Sequence, residues 1–202
     1  MLIELVLATR NAHKTREIQQ ILGPWFKVRD LAAHPDVSAI RETGRSFGEN
    51  AKLKALAASR QLPALVIADD SGLEVDALGG APGIYSARYA GANATEREKI
   101  DKLLGELERV RAIDDRRRAR FRCVVALARN GDLLGTFEGI VKGRIADEAR
   151  GGSGFGYDPI FIPEGTEKTF GELPAKVKNT MSHRAKAIRA LTDRLRRLEL
   201  GG

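Results

Sequence analysis

The sequence predicts a single α/β domain, and three features carry this prediction. An apolar run, residues 2–8, is followed by a helical segment that stops at Gly23-Pro24. A second apolar run, residues 65–68, leads into two aspartates. Residues 119–142 alternate as a β-hairpin does on either side of Asn130-Gly131, a strong turn signal. Strands interspersed with helices in this way indicate an open α/β sheet.

The composition is that of a soluble globular protein. At 202 residues the chain can build one core, or one domain of two lobes around a cleft. Its 43% hydrophobic and 30% charged residues are ordinary values. No apolar run approaches the roughly 18 residues that span a membrane, and the first residues lack the basic region and cleavage site of a signal peptide. We therefore expect a cytoplasmic protein without a membrane partner.

The charge and the cysteine and histidine content indicate which partners and which chemistry to expect. The formal net charge of +7 favours a polyanionic partner but does not choose between nucleotides and nucleic acid. The single cysteine, Cys123, excludes an internal disulfide, and its place in an alternating apolar segment predicts packing rather than a reactive thiol. The three histidines are scattered, which gives zinc chemistry no support.

The loop between the first strand and the first helix is a candidate phosphate site. Thr9, Asn11 and Lys14 lie where a helix opens that runs to Leu22, and a second strand is predicted after it over residues 26–31. Backbone N–H groups at a helix amino terminus favour anions, and a lysine adds a mobile positive charge. The glycine-rich spacing of a Walker P-loop is absent. A capped helix start with a surface lysine is the alternative interpretation.

The next helix presents polar side chains on one face. Ser46 and Glu49 have the spacing of a capping box at its start. Asn50 and Lys54 are one turn apart and follow closely behind Glu42. This alignment indicates a functional role in addition to keeping the surface soluble. A structural cap with an exposed lysine would give the same pattern.

The chain is organised around the stretch Ala68-Asp69-Asp70-Ser71-Gly72. Because an apolar strand precedes it, we expect both carboxylates at the carboxyl end of a strand, followed by a sharp turn at Ser71-Gly72. Acidic pairs in this position commonly hold Mg²⁺, which takes oxygen ligands and keeps several of its waters. An Asp-rich turn without a ligand explains the same residues equally well.

A shaped loop and two surface helices are predicted next. Gly79, Gly80 and Pro82 exclude a regular element across the middle of residues 73–91. Capping-box residues Thr95 and Glu98 begin one helix, and another closes the chain. Their apolar stripes are Ile100, Leu103, Leu104 and Leu107 in the first, and Ile188, Leu191, Leu195 and Leu198 in the second.

Two later segments, a glycine-rich loop and the start of the last helix, are candidates for binding a base or an anion. Phe155 and Tyr157 lie in a glycine-rich loop before a strand, where they could stack on a base while the backbone bonds its edge. A glycine-rich connection whose aromatics only pack is the alternative. His183 and Arg184 fall in the first turn of the last helix, after Ser182, a natural N-cap. Cations there oppose the helix dipole, which suggests an anionic or carbonyl-bearing ligand, unless Arg184 snorkels to solvent.

Taken together, these segments resemble the inosine/xanthosine triphosphate pyrophosphatase family. The resemblance covers essentially the whole chain, residues 1–202, as one nucleoside triphosphate pyrophosphatase domain. Any one segment is weak, whereas all six in this order are highly specific. They are Ala8–Lys14, Glu42–Gly44 with Ser46–Ala51, Ala68–Leu73, Gly79–Arg88, Gly154–Pro159 and Ser182–Arg184. Arg10 departs from the pattern, since the family usually has a small residue such as Gly there.

The resemblance implies both a fold and a reaction. The fold is an elongated, two-lobed α/β domain with a long mixed, twisted β-sheet flanked by helices and an active-site cleft between the lobes, usually as a homodimer. The reaction is Mg²⁺-dependent attack of water on the α-phosphate of ITP, dITP or XTP. It releases a nucleoside monophosphate and pyrophosphate, and so keeps deaminated purines out of DNA and RNA.

The residues present fit this chemistry. Glu42 and Asp70 would hold Mg²⁺, and Asp70 would also orient or deprotonate the attacking water. Lys54 and Asn50 are the other expected catalytic residues, and Lys54 would help neutralise the triphosphate. Asp69 is either a second metal ligand or a turn former. The remaining expected residues bind the triphosphate or the base: Thr9, Arg10, Asn11, Ala12, His13, Lys14, Ser71, Phe155, Gly156, Tyr157, Asp158, Lys178, His183 and Arg184.

The enzyme would recognise the base through its six-keto oxygen. Phe155 would stack on the purine while Tyr157 and Asp158 shape the pocket, and His183 and Arg184 would donate to the six-keto oxygen of hypoxanthine or xanthine. Adenine bears an amino group at that position, so these donors would be left unpaired. Guanine shares the keto oxygen, and the sequence does not show how it is rejected.

Two rival functions are compatible with parts of the sequence. A pyrophosphatase for other bases, such as modified pyrimidines, would use the same phosphate chemistry with a different pocket. A basic nucleic-acid-binding protein would fit the net charge. Against it, Glu42, Asp69 and Asp70 are acidic residues at the predicted site and no recognised binding module is present, so no stable nucleic-acid partner is expected.

Overall fold

Strands and helices alternate through much of the chain. The structure, a computed structural model, describes residues 2–38 and 40–200, without the side chains of residues 197–200. The strands are β1 (Ile3–Leu7), β2 (Phe26–Asp30), β3 (Val66–Val75), β4 (Arg118–Arg129), β5 (Asp132–Ile145) and β6 (Phe161–Pro163). The helices are α1 (Ala12–Leu22), α2 (Phe47–Ser59), α3 (Glu96–Arg109), α4 (Ala175–Met181) and α5 (His183–Leu200).

The strands are hydrogen-bonded in the order β2-β1-β3-β4-β5-β6. β1 is parallel to β2 and to β3, whereas β5 and β6 are antiparallel. Asn130 and Gly131 join β4 to β5 with φ angles of 53° and 86°, as a two-residue type I′ turn requires. The predicted α/β class with a mixed sheet flanked by helices is therefore confirmed, as is the hairpin. Among the described residues, no helix combines the length and apolar composition that a membrane span requires.

The chain forms two compact units. The first comprises Met1–Asp70, Cys123–Gly139 and His183–Gly202, and the second comprises Ser71–Arg122 and Ile140–Ser182. That residues 1–202 act as one nucleoside triphosphate pyrophosphatase domain stays a prediction.

The first unit has a core in which α1 and α5 cover strand residues. Ile18 and Leu22 of α1 and the predicted stripe of α5 are buried with side chains of β1, β3 and β4. Leu198 of that predicted stripe lies outside the described side chains. Cys123 belongs to this core, and burial raises the pKa of its thiol to about 12. The predicted packing role of this cysteine is confirmed.

The second unit has its own core, built on α3 and three aromatic rings. Ile100, Leu103 and Leu107 of α3 are buried, and Leu104 is partly buried, as their spacing predicts. Phe121, Phe161 and Phe170 pack together, with ring centroids 4.7 Å to 6.1 Å apart. Thr95 and Glu98 form the predicted capping box.

The acidic stretch is part of a strand rather than a turn. β3 is a ten-residue strand that runs straight through Asp69, Asp70 and Ser71-Gly72, so the predicted sharp turn there is wrong. Its parallel partner β1 ends at Leu7, opposite Ile67, but β4 on the other side keeps β3 extended. The aspartates thus lie just beyond the carboxyl end of β1. Because side chains alternate along a strand, their carboxylates point to opposite faces.

Side chains cap the starts of α1 and α2, the predicted capping box of α2 is only half formed, and one helix has no counterpart among the predicted elements. Asn11 caps α1 by accepting from the backbone N–H groups of His13 and Lys14. Ser46 caps α2, but the Glu49 carboxylate accepts from the N–H of Arg45 instead of closing a box. The helix without a counterpart is α4, which ends directly before Ser182.

β2 lies at an edge of the sheet, and a side chain from α1 covers its open backbone groups. The Gln19 amide oxygen accepts from the N–H of Val28 at 2.8 Å. The amide nitrogen of Gln19 donates to the carbonyls of Phe26 at 2.9 Å and Gly23 at 3.2 Å. Unpaired backbone groups on a sheet edge are a template for pairing with another chain.

Replacing Gln19 by Ala should therefore lower the free energy of unfolding by about 1–3 kcal/mol, because the edge groups lose their partners. Urea denaturation followed by circular dichroism measures this change. Arg16→Ala, at an exposed position of the same helix, is the control and should stay within about 0.5 kcal/mol of wild type. Equal losses in both variants would show that the edge cover contributes nothing.

Candidate active site

In the first unit, polar side chains from α2 and the segment before it converge on Asp70. The Asn50 side-chain amide donates to Asp70 Oδ2 at 3.1 Å, and Lys54 Nζ donates to Asp70 Oδ1 at 3.3 Å. Lys54 Nζ also donates to Glu42 Oε1 at 2.6 Å and to the Asp69 carbonyl at 2.8 Å. A single ammonium therefore joins the two carboxylates that the sequence assigns to a metal.

A close approach between Gly44 and Asn50 shapes this cluster. The Asn50 Oδ1 atom accepts from the N–H of Gly44 at 2.8 Å, while the side-chain nitrogen of Asn50 donates to Asp70. A Cβ atom at position 44 would lie 2.7 Å from both Asn50 Oδ1 and Glu49 Cβ, which is too close for any side chain. Glycine at this position is thus needed to orient Asn50.

Asp69 belongs to a separate buried ion-pair network on the other face of β3. Its Oδ2 atom lies 3.1 Å from Lys14 Nζ and 3.3 Å from Arg184 Nη2. Arg184 Nη1 donates to Glu17 Oε2 at 2.7 Å. Only 2% of Arg184 is exposed, so the alternative of a side chain snorkelling to solvent is wrong. Two buried carboxylates balance the cation in the first turn of α5, and Asp69 forms no turn.

The two neighbouring aspartates differ in acidity. Burial alone would raise the pKa of Asp69, but the charges of Lys14, Arg184 and Lys54 hold it well below its ordinary range. Burial, reinforced by the charge of Glu42, raises the pKa of Asp70 despite the opposing Lys54. Burial would lower the pKa of Lys54, yet Asp70, Asp69 and Glu42 raise it. Asp69 is therefore a fixed negative charge, whereas Asp70 is the more basic carboxylate.

The predicted phosphate loop lies in the same unit. Thr9 Oγ1 accepts from the N–H of Asn11 at 3.2 Å, and Asn11 caps α1. Arg10 Nη2 donates to the carbonyl of Val37 at 3.0 Å. The expected binding residues Arg10, Asn11, Ala12 and His13 are exposed, while Lys14 extends to Asp69. The helix amino terminus that could receive an anion is thus accessible.

The donor set suits a hard divalent cation with few protein ligands. No group of three or more His, Cys, Asp or Glu side chains is placed to hold a metal ion in the part of the chain that the structure describes. Glu42 and Asp70 present carboxylate oxygens to one cation, the Lys54 ammonium. Mg²⁺ typically binds through one or two carboxylates together with substrate phosphates and water. Glu42 and Asp70 fit that mode.

In the second unit, Asp158 organises the glycine-rich loop. Asp158 Oδ2 accepts from the N–H of Phe155 at 2.8 Å and from Lys178 Nζ at 2.6 Å, and Lys178 Nζ lies 5.1 Å from the centre of the Phe155 ring. A Cβ at Gly154, whose φ is +79°, would lie 2.1 Å from Asp158 Oδ2, so only glycine fits there. The Tyr157 hydroxyl donates to the Ser86 carbonyl at 3.1 Å.

The two aromatics of this loop are placed differently. Tyr157 is only 4% exposed and packs in the core of the second unit, whereas Phe155 is partly exposed. Phe155 is thus the better placed of the two to stack on a base. Ser86 was not singled out by sequence, yet its hydroxyl oxygen accepts from the N–H of Leu73 at 2.9 Å. Only its membership of the Gly79–Arg88 segment could have indicated this role.

The predicted site residues thus form two groups, one in each unit. The first unit brings together the residues of the phosphate loop, the acidic pair and the start of α5: Thr9–Lys14, Glu42, Asn50, Lys54, Asp70, His183 and Arg184. The second holds Ser71, Phe155, Gly156, Tyr157, Asp158 and Lys178. Glu17, the partner of Arg184, is absent from the predicted set, and its position three residues after Lys14 was the one available signal.

Comparison with known proteins finds relatives that match nearly the whole chain. Residues 5–194 match the family model described as the Ham1 family. The chain belongs to the Ham1 family. The chain is 46% identical over 193 residues to the dITP/XTP pyrophosphatase of Bacillus subtilis, covering 95% of this chain and 96% of the relative. The dITP/XTP pyrophosphatase of Methylococcus capsulatus is 47% identical over 201 residues, with 98% of each chain covered.

Solved structures of this family share the fold. A HAM1 protein from Coxiella burnetii superposes with a TM-score of 0.86 at 42% identity, over 97% of this chain and 100% of that chain. The Staphylococcus aureus Ham1 protein gives a TM-score of 0.83 at 42% identity, over 96% and 98% of the two chains. The predicted family, and with it the prediction that the chain is an enzyme, is confirmed.

Replacing Arg184 by Ala should lower the free energy of unfolding by about 3–5 kcal/mol at neutral pH, because Glu17 and Asp69 would stay buried while losing the cation that joins them. Denaturant titration in metal-free buffer measures this loss. Arg194→Ala, at an exposed position of the same helix, should stay within about 0.5 kcal/mol of wild type.

The loss should shrink as the pH falls below the ordinary Asp pKa of 3.8. A carboxyl with a lowered pKa stabilises the folded state above its unfolded pKa, and that contribution disappears as the pH falls through the folded pKa. Once Asp69 is protonated it no longer forms an ion pair with Arg184, so wild type and variant converge in strong acid. A loss that does not change with pH would contradict the ion-pair origin.

Proposed function

We propose that this chain hydrolyses the deaminated purine nucleoside triphosphates ITP, dITP and XTP to the nucleoside monophosphate and pyrophosphate, which removes them from the nucleotide pool. One observation carries the proposal: Asp70 is a buried carboxylate of raised pKa, held by Asn50 and Lys54, in the same unit as an accessible helix amino terminus. The names of the relatives, dITP/XTP pyrophosphatase, support the choice of substrate.

Glu42 and Asp70 would hold Mg²⁺ in this proposal. When bound, the metal supplies a Lewis acid that polarises the phosphate and neutralises its charge. Lys54, which joins these carboxylates in the structure, would turn its ammonium towards phosphate oxygens. Asp69 faces the other side of β3 with Lys14 and Arg184, so we assign it to holding these cations rather than to a second metal position.

Asp70 would accept the proton of the attacking water. A general base works best when its pKa is raised towards the working pH, and burial together with Glu42 raises the pKa of Asp70. Asn50 fixes the carboxylate by one hydrogen bond to Oδ2. The proton leaves the water for Asp70, and the water oxygen attacks the α-phosphorus as pyrophosphate departs.

The triphosphate would lie at the amino terminus of α1. Thr9, Arg10, Asn11, Ala12, His13 and Lys14 form this end, where the helix dipole favours negative charge. The N–H groups of His13 and Lys14 bond the Asn11 side chain, which would have to yield to the phosphate for them to donate to it. Lys14, Lys54 and Lys178 would neutralise the charge that builds on the leaving pyrophosphate. Each of these lysines is already paired with a carboxylate, which holds it in position before substrate arrives.

The base would be bound by Phe155, Gly156 and Asp158, with Tyr157 supporting their loop. Ser71, which follows Asp70 on β3, is a further expected substrate-binding residue. Phe155 would stack on the purine. His183 and Arg184 remain the candidates for donation to the six-keto oxygen, Arg184 being held by Glu17 and Asp69. Adenine would leave these donors unpaired and so be rejected.

The working form of the protein is also part of the proposal. The family resemblance supports a homodimer in the cytoplasm that depends on Mg²⁺ and forms no stable complex with nucleic acid. Size-exclusion chromatography with light scattering at micromolar concentration tests the dimer.

Product analysis tests the reaction. Purified protein with Mg²⁺ should release pyrophosphate and monophosphate from ITP, dITP and XTP, and little from ATP or GTP. Asp70→Asn should lower the rate by about 10²–10⁴-fold, because the proton acceptor is lost. Asp76→Asn, at an exposed position, is the matched control and should retain wild-type turnover. Release from modified pyrimidine nucleotides alone would favour a pyrophosphatase with a different base pocket.

Replacing Phe155 by Ala should raise KM for ITP with little change in kcat. Stacking of an aromatic side chain on a base contributes about 1–3 kcal/mol, or roughly tenfold to more than a hundredfold in affinity. Steady-state kinetics measures the change. Tyr85→Ala removes an exposed aromatic of the same unit and should keep the wild-type KM. A matching rise in both variants would contradict a stacking role for Phe155.

A further inference from the structure

Arg10 makes a long-range contact from the predicted phosphate loop. Its side chain is exposed, yet Nη2 donates to the carbonyl of Val37, 27 residues further along the chain, at 3.0 Å. Val37 itself is only 3% exposed and so is anchored in the first unit. The guanidinium is thus a bridge between the loop at the start of α1 and the segment that begins at Val37.

That segment carries Glu42. Its described residues between Val37 and Phe47 form neither helix nor strand, so their positions depend on individual hydrogen bonds. At its far end, Gly44 N–H donates to Asn50 Oδ1 at 2.8 Å. At its near end, Ser38 N–H donates to Gln61 Oε1 at 3.3 Å, next to the bond from Arg10 to Val37.

Glu42 lies between these two anchored ends. Its side chain is 30% exposed and bonds to Lys54 Nζ at 2.6 Å. That bond orients the carboxylate, but Lys54 would be drawn to phosphate oxygens when substrate binds. The backbone anchors would then determine where the Glu42 carboxylate stays.

We propose that Arg10 is a positioning residue that ties the phosphate-binding loop to the Glu42 segment, and thereby holds the Glu42 carboxylate ready for Mg²⁺. The inference rests on the proposed function for the roles of Glu42 and the loop. The tie itself involves only this chain's own residues. Gln61 anchors the adjacent residue from α2's carboxyl side, so it provides an independent test of the same idea.

Hydrogen–deuterium exchange of the metal-free protein tests the tie without turnover. Amides of residues 40–46 should exchange about three- to tenfold faster in Arg10→Ala and in Gln61→Ala, since each variant removes one anchoring hydrogen bond. Arg10→Lys, which keeps a donor and the charge, should restore part of the protection. Arg29→Ala, a surface arginine of β2 paired with Glu4, should exchange as wild type does. Unchanged exchange in Arg10→Ala would overturn the proposal.

A metal titration then tests the functional consequence. The Mg²⁺ concentration for half-maximal ITP hydrolysis should rise about three- to tenfold in both Arg10→Ala and Gln61→Ala, and Gln61→Ala should keep the wild-type kcat at saturating Mg²⁺. If Arg10→Ala raises KM for ITP alone and Gln61→Ala behaves as wild type, Arg10 contacts phosphate directly and the positioning role is overturned. If wild type releases no pyrophosphate from ITP, the proposed function fails. The exchange experiment would still show whether Arg10 links the phosphate-binding loop to the Glu42 segment.

Discussion

The extension of β3 past the end of β1 is the constraint on which the rest of the first unit depends. Because β4 supports the strand where β1 has ended, Asp69 and Asp70 stay in extended backbone beyond the last residue of β1. Alternation then sends one carboxylate to the side of α1 and α5 and the other to the side of α2. Two adjacent residues of identical chemistry thereby acquire different partners and opposite pKa shifts.

Cations are distributed around these carboxylates so that every buried charge has a partner. Lys14 and Arg184 lie at Asp69, Lys54 lies at Asp70 and Glu42, and Glu17 completes the pairing of Arg184. Burying charges is costly, and paired charges contribute little net stability compared with apolar residues of the same size. What this network provides is position: each lysine is held beside a carboxylate. In the proposed function, less reorganisation would then be needed when the triphosphate binds.

The second unit uses the same strategy with an ion pair inside a loop. Asp158 binds both the N–H of Phe155 and the ammonium of Lys178, and glycine at position 154 lets the carboxylate approach. The backbone of Phe155 is thereby held by a carboxylate, with the Lys178 ammonium 5.1 Å from the centre of its partly exposed ring. If Phe155 stacks on a base, as proposed, this placement would lower the conformational entropy lost on binding.

The sequence by itself determined the class of fold and nominated most of the residues of the proposed site. Apolar runs, capping residues and Asn130-Gly131 act locally, so β1, α1, α3 and the hairpin could be predicted from neighbouring residues alone. The i, i+4 spacing placed Asn50 and Lys54 on one face for the same reason. Only the tertiary structure decided that the acidic stretch is a strand, because its extension depends on β4, more than 40 residues away. It also decided that Arg184 is buried against Glu17 and Asp69, and that Arg10 reaches Val37, since no local pattern encodes contacts between distant segments.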